Sequence, residues 1–337
     1  MMNKRILIVG AGGFVGGFIV DQALQRGYET WAGVRKSTSR QFLQDSRIRF
    51  VELDFEQPDT LATTLNEALP EGERWDYIIY NLGATKCTNF ADFNRINHDY
   101  LRSFTDALTA TEKMPEKFLY MSSLSALGPG DEKGFTPFHS KSIPTPNTRY
   151  GASKLKAEMH LAMTTDVPYI IFRATGIYGP HEKDYFMMFK SIKAGFDFSV
   201  GLSRQLLSFI YVDDLVEAMF QALDKAPVRK TYLIAEDRSY TQKEFREIAA
   251  KELGKSLVIP MCMPIWAVYI VSFLAEKWGM IRLKPSTLNR DKFNIMKQRN
   301  WSVDISEARK DFGFEPKIDL KEGVRRSIKW YKDNNWL

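Results

Sequence analysis

Tyr150 and Lys154 stand four residues apart in the stretch Tyr-Gly-Ala-Ser-Lys. On a helix that spacing places both side chains on one face. A phenol is a poor acid at neutral pH, with a pKa of roughly 10. A neighbouring ammonium favours the phenolate, so Lys154 is expected to lower the pKa of Tyr150. A tyrosine tuned in this way exchanges protons with an alcohol or a carbonyl. Alone the pair specifies little, because the same spacing arises by chance on exposed helix faces. Two further stretches give it meaning, a glycine-rich turn near the N-terminus and a serine pair upstream of Tyr150.

Gly10, Gly13 and Gly16 form G-x-x-G-x-x-G between an apolar strand and a helix. The first glycine permits a tight turn. The second lets a pyrophosphate approach the backbone, and the third lets the helix pack on the strand. Amides at the helix N-terminus then bind the anion. The end of the second strand bears on cofactor choice, since an acidic residue there bonds the ribose 2′-hydroxyl of NAD. Here it reads Val34-Arg35-Lys36-Ser37, without a carboxylate. Arg35 and Lys36 suit the 2′-phosphate of NADP(H), and an arginine plane also stacks on adenine. NADP(H) is therefore expected ahead of NAD(H), with ordinary surface basicity as the alternative reading. Asp54, ending the third strand, either accepts a bond from the adenine amino group or caps the next segment. Met121-Ser122-Ser123-Leu124-Ser125 follows the fifth strand, at the carboxyl edge where ligands of such sheets bind. A serine there either holds a substrate oxygen beside Tyr150 or belongs to a serine-rich turn. Asn97 is either a helix-surface amide or a buried bridge near the lysine.

The elements that must position these residues alternate. Strands are expected at 5–9, 29–34, 48–53, 77–80, 117–121 and 169–172. Helices are expected after the glycine turn to about Arg26, where Gly27 acts as a C-cap, and at 61–69, 90–111 and 150–163. A loop rich in Pro, Gly and Ser occupies 129–147. This rhythm predicts an α/β, doubly wound parallel-sheet Rossmann fold. After Gly179-Pro180 the pattern changes to aromatic and methionine-rich segments. Helices are expected at 212–223, 242–253, 305–312 and 320–334. Residues 1–179 therefore read as the dinucleotide-binding domain and 180–337 as mainly a substrate-binding region. Segments within about 206–234 are expected to return to the main sheet.

Composition narrows the classes. The 337 residues are 44% hydrophobic and 26% charged, enough for a substantial core. The net charge of +6 is spread along the chain, which argues against a nucleic-acid partner. Cys87 and Cys262 form neither a disulfide framework nor a metal-ligand spacing, so no metal is expected and a reducing, cytoplasmic setting fits. Met1 to Arg5 leads straight into a strand, without a signal peptide's apolar region. The segment from Val258 to Ala275 carries no charge, but Pro260 and Pro264 interrupt it and no stable membrane span is expected. Within it, Trp266, Tyr269, Ile270 and Phe273 recur at helical spacing. They are expected to form one stripe of a helix from Ile265 to Lys277 that roofs an apolar substrate pocket. An ordinary core helix and a helix lying on a membrane surface are the alternatives.

Gly10 to Gly16, Ser122-Ser123, Tyr150-x-x-x-Lys154 and Arg173-Ala-Thr-Gly-Ile-Tyr-Gly-Pro180 occur in the order found in the extended short-chain dehydrogenase/reductases. That group is also called the NAD-dependent epimerase/dehydratase family. The resemblance extends over Phe209-Ile-Tyr-Val-Asp-Asp-Leu215 and Trp301-Ser-Val-Asp-Ile-Ser-Glu-Ala-Arg309 to essentially the whole chain. It implies that Ser123, Tyr150 and Lys154 are the catalytic triad, with Ser125 as runner-up to Ser123, and that Asn97 is the family's helix asparagine. Tyr100 replaces a glycine usual just after it. The resemblance further implies cofactor contacts from Phe14, Val15, Phe55, Ser122, Arg173 and Ala174, and from the loop Leu82-Gly83-Ala84. It also implies a homodimer through helices at about 90–111 and 150–163. Gly176 stands where nucleotide-sugar enzymes often carry asparagine. Leu206-Leu207-Ser208 lacks the arginine they place before the Phe209 strand. The pattern Arg173-x-Thr-Gly-Ile-Tyr-Gly-Pro180 and the strand end Ala32-Gly33-Val34-Arg35 look more like the hydroxysteroid dehydrogenase and dihydroflavonol reductase branch, although Ala174 departs from the proline usual there.

The expected activity is hydride transfer between NADP(H) and a ketone or secondary alcohol on a fairly apolar small-molecule substrate, with Tyr150 as acid/base. A nucleotide-sugar epimerase or dehydratase that keeps its cofactor bound is the alternative. A non-catalytic cofactor sensor is a third reading, against which the intact triad argues.

Overall fold

The computed structural model describes residues 4–164, 166–282, 284, 286 and 288–337. The lead-in residues Met1 to Asn3 lie outside the described residues. The strands are β1 (Arg5–Val9), β2 (Glu29–Val34), β3 (Arg49–Glu52), β4 (Tyr77–Tyr80), β5 (Lys117–Ser123), β6 (Tyr169–Ala174), β7 (Gly176–Tyr178), β8 (Phe196–Val200), β9 (Phe209–Tyr211), β10 (Lys230–Ile234) and β11 (Ile259–Met263). The helices are α1 (Phe14–Gln25), α2 (Leu61–Ala68), α3 (Ala91–Asn94), α4 (Tyr100–Ala110), α5 (Arg149–Met163), α6 (Lys183–Lys193), α7 (Val212–Lys225), α8 (Gln242–Glu252), α9 (Ile265–Ile281), α10 (Arg290–Met296), α11 (Ser306–Phe312) and α12 (Leu320–Asp333).

Seven strands form one sheet in the order β10–β6–β5–β4–β1–β2–β3, and every pairing in it is parallel. This is the doubly wound Rossmann architecture that the alternation predicts. Ile6 and Ile8 of β1 enter the core on one face, with α1, α7, α11 and α12. Leu7 and Val9 enter the core on the other, with α2, α4 and α5. Successive side chains on a strand point to opposite faces. An unbroken apolar run therefore serves a sheet that is covered on both. Strand β10 joins β6 at the sheet's edge. Pairs β7–β9 and β8–β11 form two small separate sheets.

The strand order reverses between β1 and β4, and ligands of open α/β sheets bind at the carboxyl ends beside such a switch. Gly10 follows β1 with φ +84°, and a Cβ there would stand 2.8 Å from the Leu82 amide after β4. Only glycine satisfies both the left-handed backbone and the close approach.

The helix expected over 90–111 forms, running without a break from Ala91 to Ala110, with a π-helical turn at Arg95–Asp99 between α3 and α4. The wide turn carries Asn97, whose side chain is wholly taken up by partners described below. The roof expected from α9, by contrast, is absent. Its buried residues are Val268, Ser272, Glu276 and Gly279. Trp266, Tyr269, Ile270 and Phe273 are exposed, and none lines the cleft. The helix is apolar on nearly every face, so its apolar pattern does not choose an inner one. What chooses is the packing of Val268 with Val200 and Phe293, while Gly279 makes room for the turn that follows the helix, where a Cβ would meet the Lys284 carbonyl oxygen at 2.8 Å. A Glu276–Arg290 pair completes the attachment, at 2.6 Å. Among the described residues no helix is long and apolar enough to cross a membrane.

Candidate active site

A cleft of about 1120 Å³ runs along the carboxyl edge of the sheet. Gly10, Gly13, Phe14 and Val15 line one end. Gly13 caps α1 with its backbone extended and makes no side-chain cap bond, and the first turn holds no acidic residue. Free amides of that turn therefore face the cleft, and their unpaired N–H groups suit an anion. Gly16 lies behind them, where a Cβ would stand 2.3 Å from the Gly10 carbonyl oxygen. The local geometry thus fits a dinucleotide pyrophosphate.

Arg35, Phe55, Leu82, Gly83, Ser122 and Ala174 also line the cleft. Phe55 stacks on Tyr100 at 5.1 Å between ring centroids. The Tyr100 hydroxyl donates to Glu56, which accounts for the tyrosine where a glycine is usual. Lys36 and Asp54 stand outside the cleft wall. The Asp54 carboxylate accepts from the Glu56 amide at 3.0 Å and closes a local turn.

Arg173 was expected to touch the cofactor, but it does not line the cleft. Its guanidinium is paired with Glu158 of α5, with contacts at 3.1, 3.1 and 2.6 Å. The Ser122 hydroxyl donates to the same carboxylate. All three residues are buried. A buried cation without a partner is costly, so the arginine takes the carboxylate within reach rather than the cleft.

Thr148 starts α5 by accepting from the Gly151 amide, at 3.0 Å. The Asp291 carboxylate, from α10, accepts from the Tyr150 amide at 3.0 Å. This start presents Tyr150 to the cleft, half-buried, with its ring 6.1 Å from Phe93. Burial pushes the Tyr150 pKa above its ordinary value, and a hydrogen bond with the Ser123 hydroxyl offsets part of that rise. Ser123 Oγ also accepts from the Ser125 amide, at 3.2 Å. Ser125 thereby supports Ser123 from the following turn.

Lys154 is buried one helical turn on, and its ammonium donates to the Met121 carbonyl at 2.8 Å. Burial lowers its own pKa to about 8, against the opposing pull of Glu158. The expected lowering of the Tyr150 pKa by Lys154 is therefore not seen. Loss of water around the phenol raises its pKa, and the opposing contribution comes from Ser123 rather than from Lys154.

Asn97 is fully buried. It accepts from the Ala84 amide at 2.8 Å, and donates to the Ala84 carbonyl at 3.1 Å and to Ser153 Oγ at 2.9 Å. It pins the Leu82-Gly83-Ala84 loop to α5. A Cβ on Gly83 would stand 2.9 Å from Lys154 Nζ and 3.0 Å from Asn97 Oδ1. Asn97 is thus the buried bridge near the lysine, not a helix-surface amide.

The far wall comes from the C-terminal elements. It includes Met187 and Met188 of α6, Phe196, Phe198 and Val200 of β8, and Met296 of α10. Gly176 lies at this end, where a Cβ would stand 2.1 Å from the Tyr185 hydroxyl. The half-buried tyrosine occupies the space an asparagine would need. Polar groups interrupt the apolar side chains of this wall, among them Gln205, Ser208 and Asp197, which is bonded to Gln242 and Arg246. Asp184 meets Lys86 at 2.5 Å and Lys292 at 3.4 Å. Burial works against its ionisation, yet the two ammonium groups hold its pKa below the ordinary value. Sequence reading missed Lys86, Asp184, Lys292 and Asp291. They come from three distant stretches, and no short spacing links those stretches.

Comparison with known proteins agrees with this geometry. The chain is 25% identical over 335 residues to a ceramide reductase of Caulobacter vibrioides, covering 98% of this chain and 96% of that protein. It is 22% identical over 346 residues to a UDP-glucose 4-epimerase of Vibrio cholerae, covering 99% and 97%. Its fold matches the structure of a UDP-glucose 4-epimerase from Thermotoga maritima with a TM-score of 0.77, at 19% identity over 98% of this chain and 99% of that one. The model of the NAD dependent epimerase/dehydratase family matches residues 6–235, and the chain belongs to that family.

Proposed function

We propose that the protein is an NAD(P)-dependent oxidoreductase that reduces a ketone on a fairly apolar substrate. The observation that carries this reading is the set of methionine and aromatic side chains on the far wall, with Tyr185 filling the space beside Gly176. A bound nicotinamide cofactor supplies the hydride. Tyr150 donates the proton to the carbonyl oxygen. Its raised pKa keeps the phenol protonated at neutral pH, which suits an acid in the reductive direction. Ser123 orients the same oxygen. Lys154 stays largely charged at neutral pH and supports the loop at Gly83 and the cofactor ribose. The similarity to a ceramide reductase supports an apolar substrate.

Arg35 on the cleft wall, with no carboxylate at the end of β2, supports NADP(H) over NAD(H). Exposed Met159 and Met163 on α5 support a homodimer through that helix and α4. A second reading, nucleotide-sugar epimerisation or dehydration, is favoured by the similarity to UDP-glucose 4-epimerase.

A cofactor-consumption assay separates the two. Net NADPH oxidation with long-chain ketones supports the reductase, whereas conversion of nucleotide sugars without net consumption replaces it with the second reading. Arg35→Ala should weaken NADP(H) by roughly one to two decades while sparing NAD(H). Lys36→Ala should change neither. Equal losses for both cofactors would remove the 2′-phosphate assignment.

A further inference from the structure

Helix α9 attaches to the body by one narrow stripe. At 3.6 residues per turn, Trp266, Ile270, Leu274, Trp278 and Ile281 fall on the face opposite Val268, Ser272, Glu276 and Gly279. Their exposures are 69%, 48%, 60%, 56% and 74%. A soluble surface does not ordinarily present such a row. The apolar surface continues beyond the helix. Ile259 and Met261 of β11 are exposed, and β11 pairs with β8. Phe198 of β8 is exposed and also lines the cleft.

Charge identifies what covers this face. Between residues 256 and 299 the acidic residues are Glu276 and Asp291, and both are buried. Glu276 is paired with Arg290 and Asp291 caps α5. Lys277, Arg282, Lys284 and Lys297 are exposed. The charge that α9 and its flanks turn outward is therefore positive. A second copy packed on this face about a two-fold axis would bring these like charges together. An anionic lipid surface would not. Two tryptophans beside aliphatic residues and flanked by cations form the composition that lies in a bilayer's interfacial zone.

We propose that the α9 face docks on an anionic lipid bilayer, with the helix lying in the interface. Because β8 is shared by this face and the cleft wall, docking sets the cleft mouth at the membrane. A substrate dissolved in the bilayer would then reach the cleft without crossing water. Docking itself involves no turnover and stands apart from the reductase reading.

The test uses the full chain, without substrate, and vesicles of phosphatidylglycerol and phosphatidylcholine in equal parts. The wild type should sediment with the vesicles, with a blue shift in tryptophan emission, and should bind pure phosphatidylcholine less. A variant combining Trp266→Ser, Ile270→Ser and Trp278→Ser should lose about tenfold or more in vesicle affinity. Lys277→Glu with Arg282→Glu should weaken binding and remove its dependence on phosphatidylglycerol. NADPH affinity should be unchanged in both, which shows that each variant folds. If the triple variant fails that control, the charge-reversal variant decides. Wild-type protein that stays in the supernatant, or variants that bind vesicles as well as the wild type, would overturn the proposal. So would a wild-type oligomer that the triple variant dissociates, which would make a second copy the occupant.

Discussion

Helix α5 buries Lys154 and Glu158 and turns Met159 and Met163 to the surface, whereas α9 buries Ser272 and Glu276 and shows two tryptophans. Both depart from the usual partition of polar and apolar residues. In α5 each buried charge has partners supplied by the sheet, namely the Met121 carbonyl for Lys154 and Arg173 with Ser122 for Glu158. The sheet thereby holds the ammonium at one fixed place, between the cleft and the Gly83 loop. In α9 the buried carboxylate meets Arg290 of the neighbouring helix and fixes only the helix itself. Buried polarity in the first case fixes a cation at the wall of the cleft. In the second it fastens an apolar surface that faces outward.

The contrast can be broken at either end. The largest effect is expected at the cleft, where Tyr150→Phe keeps the ring and removes the exchangeable proton. Turnover should fall by about 10²–10⁴-fold with cofactor affinity nearly intact. Steady-state rates within a few-fold of the wild type would take the acid/base role away from this residue. Glu158→Gln comes next. It leaves the buried Arg173 without its counter-charge, and such losses cost about 3–5 kcal/mol. Urea denaturation should show this, and an unchanged midpoint would mean that water reaches the pair.

The pH dependence of stability sharpens the comparison. Burial depresses the Lys154 pKa from 10.5 to about 8. The unfolded chain therefore binds more protons than the folded one between those values, and stability should rise with pH through this window. The gain is on the order of 3 kcal/mol at most, from the size of the shift. In Lys154→Met the corresponding part of the rise should vanish, so the difference between the two proteins at pH 8 and pH 10.5 isolates it. A parallel pair of curves would show that the ammonium is solvated. The smallest effect belongs to α9. Truncating a core aromatic costs about 3–5 kcal/mol. Trp266→Ala and Phe273→Ala should instead each stay within about 0.5 kcal/mol of the wild type, as exposed positions do. A large loss in thermal melting would mean that the face is covered within the folded protein.

Local pattern made much of the molecule legible. The apolar run before Gly10, the three spaced glycines and the strand–helix rhythm determined the sheet and the anion-binding turn. These depend on backbone conformation and side-chain period within a few residues. The four-residue spacing of Tyr150 and Lys154 likewise determined that the two share a helix face. Tertiary structure decided what those groups experience. The rise in the Tyr150 pKa, the withdrawal of Arg173 to Glu158 and the support of α5 by Asp291 depend on desolvation and on partners far away in the chain. The inner face of α9 was illegible for the same reason. A helix apolar all round carries no period to read, and its seat was chosen by the packing of Val268 on Val200 and Phe293 and by an ion pair to Arg290.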